Sequence, residues 1–186
     1  MPRVAIPFLF PSVLFLAALA VAPRAATYTV TNTNDSGAGS LRQALSDAGG
    51  HAGLDTIAFD IVTTPVTIRP LSFYVGISDP VILDGTTQPG YAGSPVVEID
   101  GSLMSGTTAS GFQIFPNGGG TTIRGLCINR FPSGGIFISS SHGNTIQGNY
   151  IGTDVTGTLA RPNKNDGISM TKSSNNLIGG TTAETR

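Results

Sequence analysis

Four charged residues are the candidates for chemistry in this sequence. Asp84 and Asp100 each end an apolar segment and precede a glycine, and their separation of 100 − 84 = 16 residues would allow the two carboxylates to lie near one another on adjacent coils of a repeating fold. Arg124 and Arg130 flank the apolar segment 126–128. Paired carboxylates could hydrolyse a glycosidic bond, and an arginine could offset the charge of an acidic sugar. We therefore take these four residues as candidates for a ligand-binding face.

Each candidate also has a simpler interpretation. Aspartate before glycine is typical of a turn, and an arginine beside a strand is ordinarily a solvated outward position. His51 and His142 lie in Gly/Ser-rich turns, without a partner acid or a second ligand nearby in the sequence. We therefore assign no catalytic, cofactor-binding or metal-binding residue, and we expect no cofactor.

The composition restricts the partners and the fold. The 186 residues carry a formal net charge of −1 and no basic block, so we expect no nucleic-acid partner. The single cysteine, Cys127, excludes an intrachain disulfide and is predicted to be a buried hydrophobe. With 25 Gly, 12 Pro and 11% charged residues, the chain favours strands and turns, and its 39% hydrophobic content is enough for a core.

Residues 1–26 have the pattern of a secretory signal peptide. Arg3 supplies the positive start, residues 4–22 contain no charge, and either 18–20 or 20–22 fits an A-x-A cleavage site. A membrane anchor is the competing interpretation, but two prolines interrupt the run and leave it short for a bilayer span. We predict a protein that is secreted or held at a cell surface, with no transmembrane span in the mature chain.

Region 27–54 is predicted to hold one strand and the only helix. Ser40 and Gln43 have the spacing of a capping box, and Leu41 and Leu45 begin an apolar face that continues at helical spacing. We expect this short amphipathic helix to cap the open end of the first coil.

Region 55–186 reads as short strands separated by turns, and its later half repeats. Residues 122–128 match 145–151 at an offset of 146 − 123 = 23, and residues 144–148 match 176–180 at 176 − 144 = 32. Variable insertion between conserved-looking segments is what stacked coils tolerate. A β-sandwich, the alternative, would predict hairpin spacing instead.

The repeats give structural roles to individual side chains. Ile123, Ile146 and Ile178 occupy equivalent positions and are predicted to stack inward. Asn144 and Asn176 precede them and are predicted to hydrogen-bond from coil to coil. The predicted fold is therefore all-β, a right-handed parallel β-helix (solenoid) with one short N-terminal capping helix.

The segment TVTNTNDSG at residues 29–37, followed by GSLRQAL at 39–45, resembles the CSLREA-type opening of bacterial surface β-helix repeat proteins. Gly39 stands where that name has Cys, and Gln43 where it has Glu. The segments 83–91, 123–126 and 149–154 are similar to the same group. The resemblance implies export and a parallel β-helix, usually in a longer chain, so we expect that the coils are truncated at the C-terminus and that further coils of a parent protein are missing.

Two functions are compatible with this sequence. The first is a non-catalytic secreted or cell-surface scaffold that adheres or binds saccharides, with polysaccharide or cell-surface components as partners. The second is the N-terminal portion of a carbohydrate-active enzyme, a polysaccharide lyase, epimerase or hydrolase, and it rests on fold analogy alone. We favour the first, because catalytic groups are few.

Overall fold

The computed structural model describes residues 1–2, 24–63, 66–106, 108 and 110–182. The predicted signal peptide falls almost entirely on residues 3–23, which lie outside the described residues. The elements in chain order are β1 Thr27–Val30, α1 Leu41–Gly49, β2 Asp55–Phe59, β3 Val66–Ile68, β4 Val81–Asp84, β5 Val97–Asp100, β6 Phe112–Ile114, β7 Thr122–Arg124, β8 Leu126–Asn129, β9 Ile136–Ser139, β10 Thr145–Gln147, β11 Tyr150–Ile151, β12 Ile168–Thr171 and β13 Leu177–Ile178.

The strands form three sheets, and all of their pairings are parallel. Sheet A has the order β1-β2-β4-β7-β10-β13, sheet B the order β3-β5-β8-β11, and sheet C the order β6-β9-β12. From β4 onward the chain visits sheets A, B and C in that order three times and then returns to sheet A at β13. The predicted largely β fold is therefore confirmed, with one α-helix among the described residues, and the parallel pairing contradicts the antiparallel sandwich.

The core is built from apolar side chains that lie in register across each sheet. In sheet A, Ile57, Leu83, Ile123 and Ile146 occupy successive strands and are all buried. Each buried side chain of this size stabilises the fold by about 1.5–3 kcal/mol relative to exposure. Ile178 continues the register opposite Ile146, but it is 43% exposed because it lies on the last strand of the sheet within the described residues.

Helix α1 packs against β1 and β2 through its apolar face, where Leu41 and Leu45 are buried. Ser40 is the N-cap, and its hydroxyl accepts a hydrogen bond from the backbone N–H of Gln43 at 3.2 Å. The reciprocal half of the capping box is not formed, because the Gln43 amide donates to the carboxylate of Asp47 at 2.6 Å. The sequence pattern therefore gives the position of the cap but only one of its two expected bonds.

Two asparagines connect the turns that precede β10 and β13. The Asn144 side-chain oxygen accepts from the backbone N–H of Thr121 at 3.1 Å, and its amide nitrogen donates to the side-chain oxygen of Asn176 at 2.9 Å. The amide of Asn144 also donates to the Ser141 hydroxyl at 3.0 Å. These bonds satisfy the fully buried Asn144 side chain in both directions across sheet A.

Glycine forms the corner between sheets A and B. Gly125 and Gly148, with φ of 68° and 58°, occupy the left-handed region between β7 and β8 and between β10 and β11. That region costs a side-chain-bearing residue roughly 1 kcal/mol, so glycine suits both positions. Gly125 also packs against Gly85, which follows β4. A Cβ added at Gly85 would overlap the carbonyl oxygen of Gly125. The corner therefore depends on glycine for both conformation and close approach.

Candidate functional site

Asp84 at the end of β4 makes two different kinds of contact. Its Oδ1 accepts from the backbone N–H of Thr86 at 3.1 Å and from the Thr86 hydroxyl at 2.6 Å, which caps the following 3-10 turn. Its Oδ2 accepts from Arg124 Nη2, a residue that strand register places directly opposite in sheet A. Burial raises the pKa of the Asp84 carboxyl, but the hydrogen bonds from Arg124 and Thr86 lower it below its ordinary value.

Asp100 at the end of β5 repeats this arrangement in sheet B. Its Oδ1 accepts from the backbone N–H of Ser102 at 3.0 Å and caps a second 3-10 turn. Its Oδ2 accepts from two arginines, Arg69 Nε at 2.9 Å and Arg130 Nη2 at 2.5 Å. The Asp100 side chain is fully buried, whereas both arginine side chains reach solvent.

The placement of the two aspartates on adjacent coils, which their spacing would allow, is not the one in the structure. Asp84 and Asp100 end consecutive strands of one passage of the chain and belong to different sheets, sheet A and sheet B. They share no arginine: Asp84 pairs with Arg124, and Asp100 pairs with Arg69 and Arg130. The Asp-Gly motifs are turn caps, as the simpler interpretation predicts, but the second carboxylate oxygen of each also binds an arginine.

A polar network covers the outer face of sheet B beside Asp100. Glu98 accepts from the Thr67 hydroxyl at 3.0 Å and from the Asn129 amide at 2.9 Å, and its Oε1 lies 3.9 Å from Arg130 Nη2. Strand register places Thr67, Glu98 and Cys127 side by side across β3, β5 and β8. The network therefore spans three strands and is built from side chains that alternate with the core residues.

A groove of about 690 Å³ lies over this network. Its floor is the outer face of β3 and β5, and its walls are the segment before β5 and the segment between β11 and β12. The volume is in the range of small-ligand pockets. The groove is lined by Val66, Thr67, Arg69, Pro89, Gly90, Ser94, Pro95, Val96, Glu98, Arg130, Val155 and Arg161.

Arg161 differs from the other two arginines of the groove. Its backbone N–H donates to Gly152 at 2.8 Å, but within the described part of the chain no carboxylate lies within ion-pair distance of its guanidinium group. Its Nε is buried without a hydrogen-bond partner among those residues, and so is Nε of Arg130. Buried unpartnered donors are uncommon and costly, so these two nitrogens call for an explanation.

Of the four sequence candidates, the structure brings Asp100 and Arg130 together at this groove and leaves Asp84 and Arg124 outside its lining. Sequence reasoning missed Arg69, Glu98, Asn129 and Arg161. Two of these had a signal, since Arg69 directly after β3 and Glu98 within β5 occupy positions that alternate with core residues. The pairing of Arg69 with Asp100 crosses 31 residues, a span that the matched repeats do not contain.

The two histidines and the cysteine considered in the sequence analysis all lie against polar or charged neighbours. The expectation that His51 lacks a partner acid is wrong: its Nδ1 lies 3.0 Å from the buried carboxylate of Asp55, because the turn after α1 folds the ring back over β2. His142 Nδ1 lies 2.8 Å from the Ser174 hydroxyl. Cys127 is buried, and burial together with the charge of Glu98 raises the pKa of its thiol to about 12.

No protein-family model matches the chain, and no curated protein is significantly similar to it. Among the residues that the structure describes, no group of three His, Cys, Asp or Glu side chains could hold a metal ion. Within the same residues, no helix has the length and the apolar character that crossing a membrane requires. The groove over sheet B is therefore the candidate site, and its chemistry has to be argued from its own residues.

Proposed function

We propose that this chain is a right-handed parallel β-helix, in which sheets A, B and C are the three faces of a stack of coils. The repeated visiting order of the sheets and the in-register apolar columns support this architecture. Right-handedness is expected because parallel strands of one sheet joined by a crossover are almost always connected in that sense. Membership of the CSLREA-type surface proteins is part of the same proposal and rests on the resemblance of residues 29–45.

We propose further that the protein is a non-catalytic scaffold, exported through its first 26 residues, that binds saccharides at a cell surface. The observation that carries this function is the groove of about 690 Å³ on the outer face of sheet B. The two candidate carboxylates support binding over hydrolysis, because Asp84 and Asp100 are each engaged by a turn N–H and by arginine. A carboxylate held in this way is poorly placed to exchange protons with a substrate.

The experiment is a combined binding and turnover assay on purified protein spanning residues 27–186. We expect saccharide binding without release of reducing ends or unsaturated products. Ser94→Trp fills the groove from its wall and should abolish binding, whereas Ser36→Trp, at an exposed serine outside the groove lining, should not. Cleavage of a uronate polymer that is lost on Asp84→Asn or Asp100→Asn would overturn the non-catalytic function and favour a carbohydrate-active enzyme.

A further inference from the structure

The groove over sheet B has more cationic than anionic side chains on its surface. Arg69, Arg130 and Arg161 line it together with one carboxylate, that of Glu98. Asp100 lies beneath and is fully buried, so it neutralises part of this charge without being able to contact a ligand directly. Only Nε of Arg69 is engaged in the described residues, which leaves its two terminal nitrogens as donors at a half-exposed position.

The guanidinium group of Arg161 points to an anionic ligand. Its side chain lines the groove beside those of Arg69 and Arg130, and no hydrogen bond joins its terminal nitrogens to another described residue. Arg161 in addition has no carboxylate within ion-pair distance among those residues. A ligand oxyanion would supply the acceptors that the protein lacks, and arginine binds planar carboxylate and sulfate oxygens particularly well.

The walls and the position of the groove indicate the rest of the ligand. Pro95, Val96 and Val155 offer apolar contacts of the kind that the C–H faces of sugar rings use, while Ser94 and Thr67 offer hydroxyl groups. Thr67 and Glu98 reach the groove from the outer face of sheet B, so a ligand there meets side chains of the sheet. A chain of rigid rings also loses less conformational freedom on binding than a flexible peptide does.

We infer that the groove binds a saccharide chain carrying carboxylate or sulfate groups, with Arg161, Arg130 and Arg69 as its anion contacts. This inference rests on the proposed saccharide-binding function and adds the chemical class of the ligand. Because the anion contacts are partly solvated, the binding weakens as the ionic strength rises.

Calorimetric titration of the protein with three matched hexasaccharides tests this inference. Hexagalacturonate and sulfated maltohexaose supply the two possible anions, and unmodified maltohexaose is the neutral control. We expect at least one acidic hexasaccharide to bind about tenfold or more tightly than maltohexaose, and the stronger of the two identifies the anion.

Arg161→Gln is the decisive variant, because its guanidinium forms no ion pair within the described chain and its loss should not unfold the protein. We expect it to weaken acidic-saccharide binding about tenfold at an unchanged melting temperature. Arg69→Gln should weaken binding as well. Arg124→Gln is the matched control: its exposure of 47% is close to the 48% of Arg69, and it is also paired with an aspartate, but it lies outside the groove lining.

The possible failures are distinguishable. Equal affinity for maltohexaose and the acidic hexasaccharides, or an unchanged affinity in Arg161→Gln, would overturn the anionic ligand and leave the proposed saccharide-binding function standing. No binding of any hexasaccharide would overturn both. Tighter binding of a poly-aspartate peptide than of either acidic saccharide would also overturn both, and would identify the groove as a site for acidic protein segments.

Discussion

At the scale of single residues, Asp84 and Asp100 combine a turn cap with an ion pair, but their surroundings differ. Asp100 is fully buried and binds two arginines, whereas the Asp84 side chain is 7% exposed and binds one. We expect Asp100→Asn to lower the free energy of unfolding by about 2 kcal/mol, because it removes charged hydrogen bonds to two arginines, of which Arg130 is the less exposed. Asp84→Asn should cost about 1 kcal/mol, since it removes one such bond to a half-exposed arginine.

Urea denaturation of the two variants measures this difference at neutral pH. Asparagine retains an oxygen that can cap the 3-10 turn, so the comparison isolates the ion pairs. Equal losses in the two variants would contradict the assignment of the larger energy to the two arginines around Asp100.

The lowered pKa of Asp84 predicts a dependence of stability on acid. Burial raises this pKa, but the bonds from Arg124 and Thr86 lower it more, so between the folded and unfolded pKa values the unfolded chain binds more protons. The stabilisation by Asp84 is therefore complete above its unfolded pKa of about 4 and is lost as the pH falls through the folded value. The difference in unfolding free energy between wild type and Asp84→Asn should be constant from about pH 5 to 7 and shrink below about pH 4.

Urea titrations of both proteins over that pH range test the expectation. Asp35, whose pKa is also lowered, is present in both proteins and cancels in the difference. A difference that grows as the pH falls would show that the ion pair does not hold the carboxylate in its charged form.

At the scale of elements, the capping-box motif of α1 predicts two reciprocal hydrogen bonds between Ser40 and Gln43, but only one of them is formed. Ser40 accepts the Gln43 N–H, while the Gln43 side chain bonds to Asp47. We expect Ser40→Ala to cost about 1 kcal/mol of unfolding free energy, the usual effect of losing an N-cap. Gln43→Ala should cost less than about 0.5 kcal/mol, because it removes only an exposed pair at i,i+4 spacing. Thermal unfolding of the two variants would contradict this if Gln43→Ala were the more damaging change.

The elements also show where sequence reasoning succeeds and where it stops. The spacing from Ser40 to Leu45 predicts α1 correctly, because this signal is local. The repeat matches align Ile123, Ile146 and Ile178, and the strand register pairs the same residues. The groove could not be derived in this way, because it depends on the register between β3 and β5, and no matched repeat relates these two strands. Arg69 and Asp100, which are 31 residues apart in the chain, meet only through that register.

At the scale of the whole molecule, the two ends of sheet A differ in how they are covered. Helix α1 packs on β1 and β2 at one end of sheet A. At the other end, β11, β12 and β13 are the outermost strands of the three sheets among the described residues. The side chains of Met170, Leu177 and Ile178 on these strands are exposed. Unpaired parallel strands with apolar side chains are a template for the addition of another chain.

We therefore expect protein spanning residues 27–186 to self-associate through this edge in a concentration-dependent manner. Leu177→Lys should suppress the association, because a charge on an edge strand opposes strand addition. Leu71→Lys is the matched control, since Leu71 is similarly exposed, at 58% against 52% for Leu177, but lies between β3 and β4, outside the strands. Sedimentation velocity at increasing protein concentration measures the effect. A wild-type protein that stays monomeric at every concentration, or a Leu71→Lys variant as monomeric as Leu177→Lys, would show that this edge does not direct assembly.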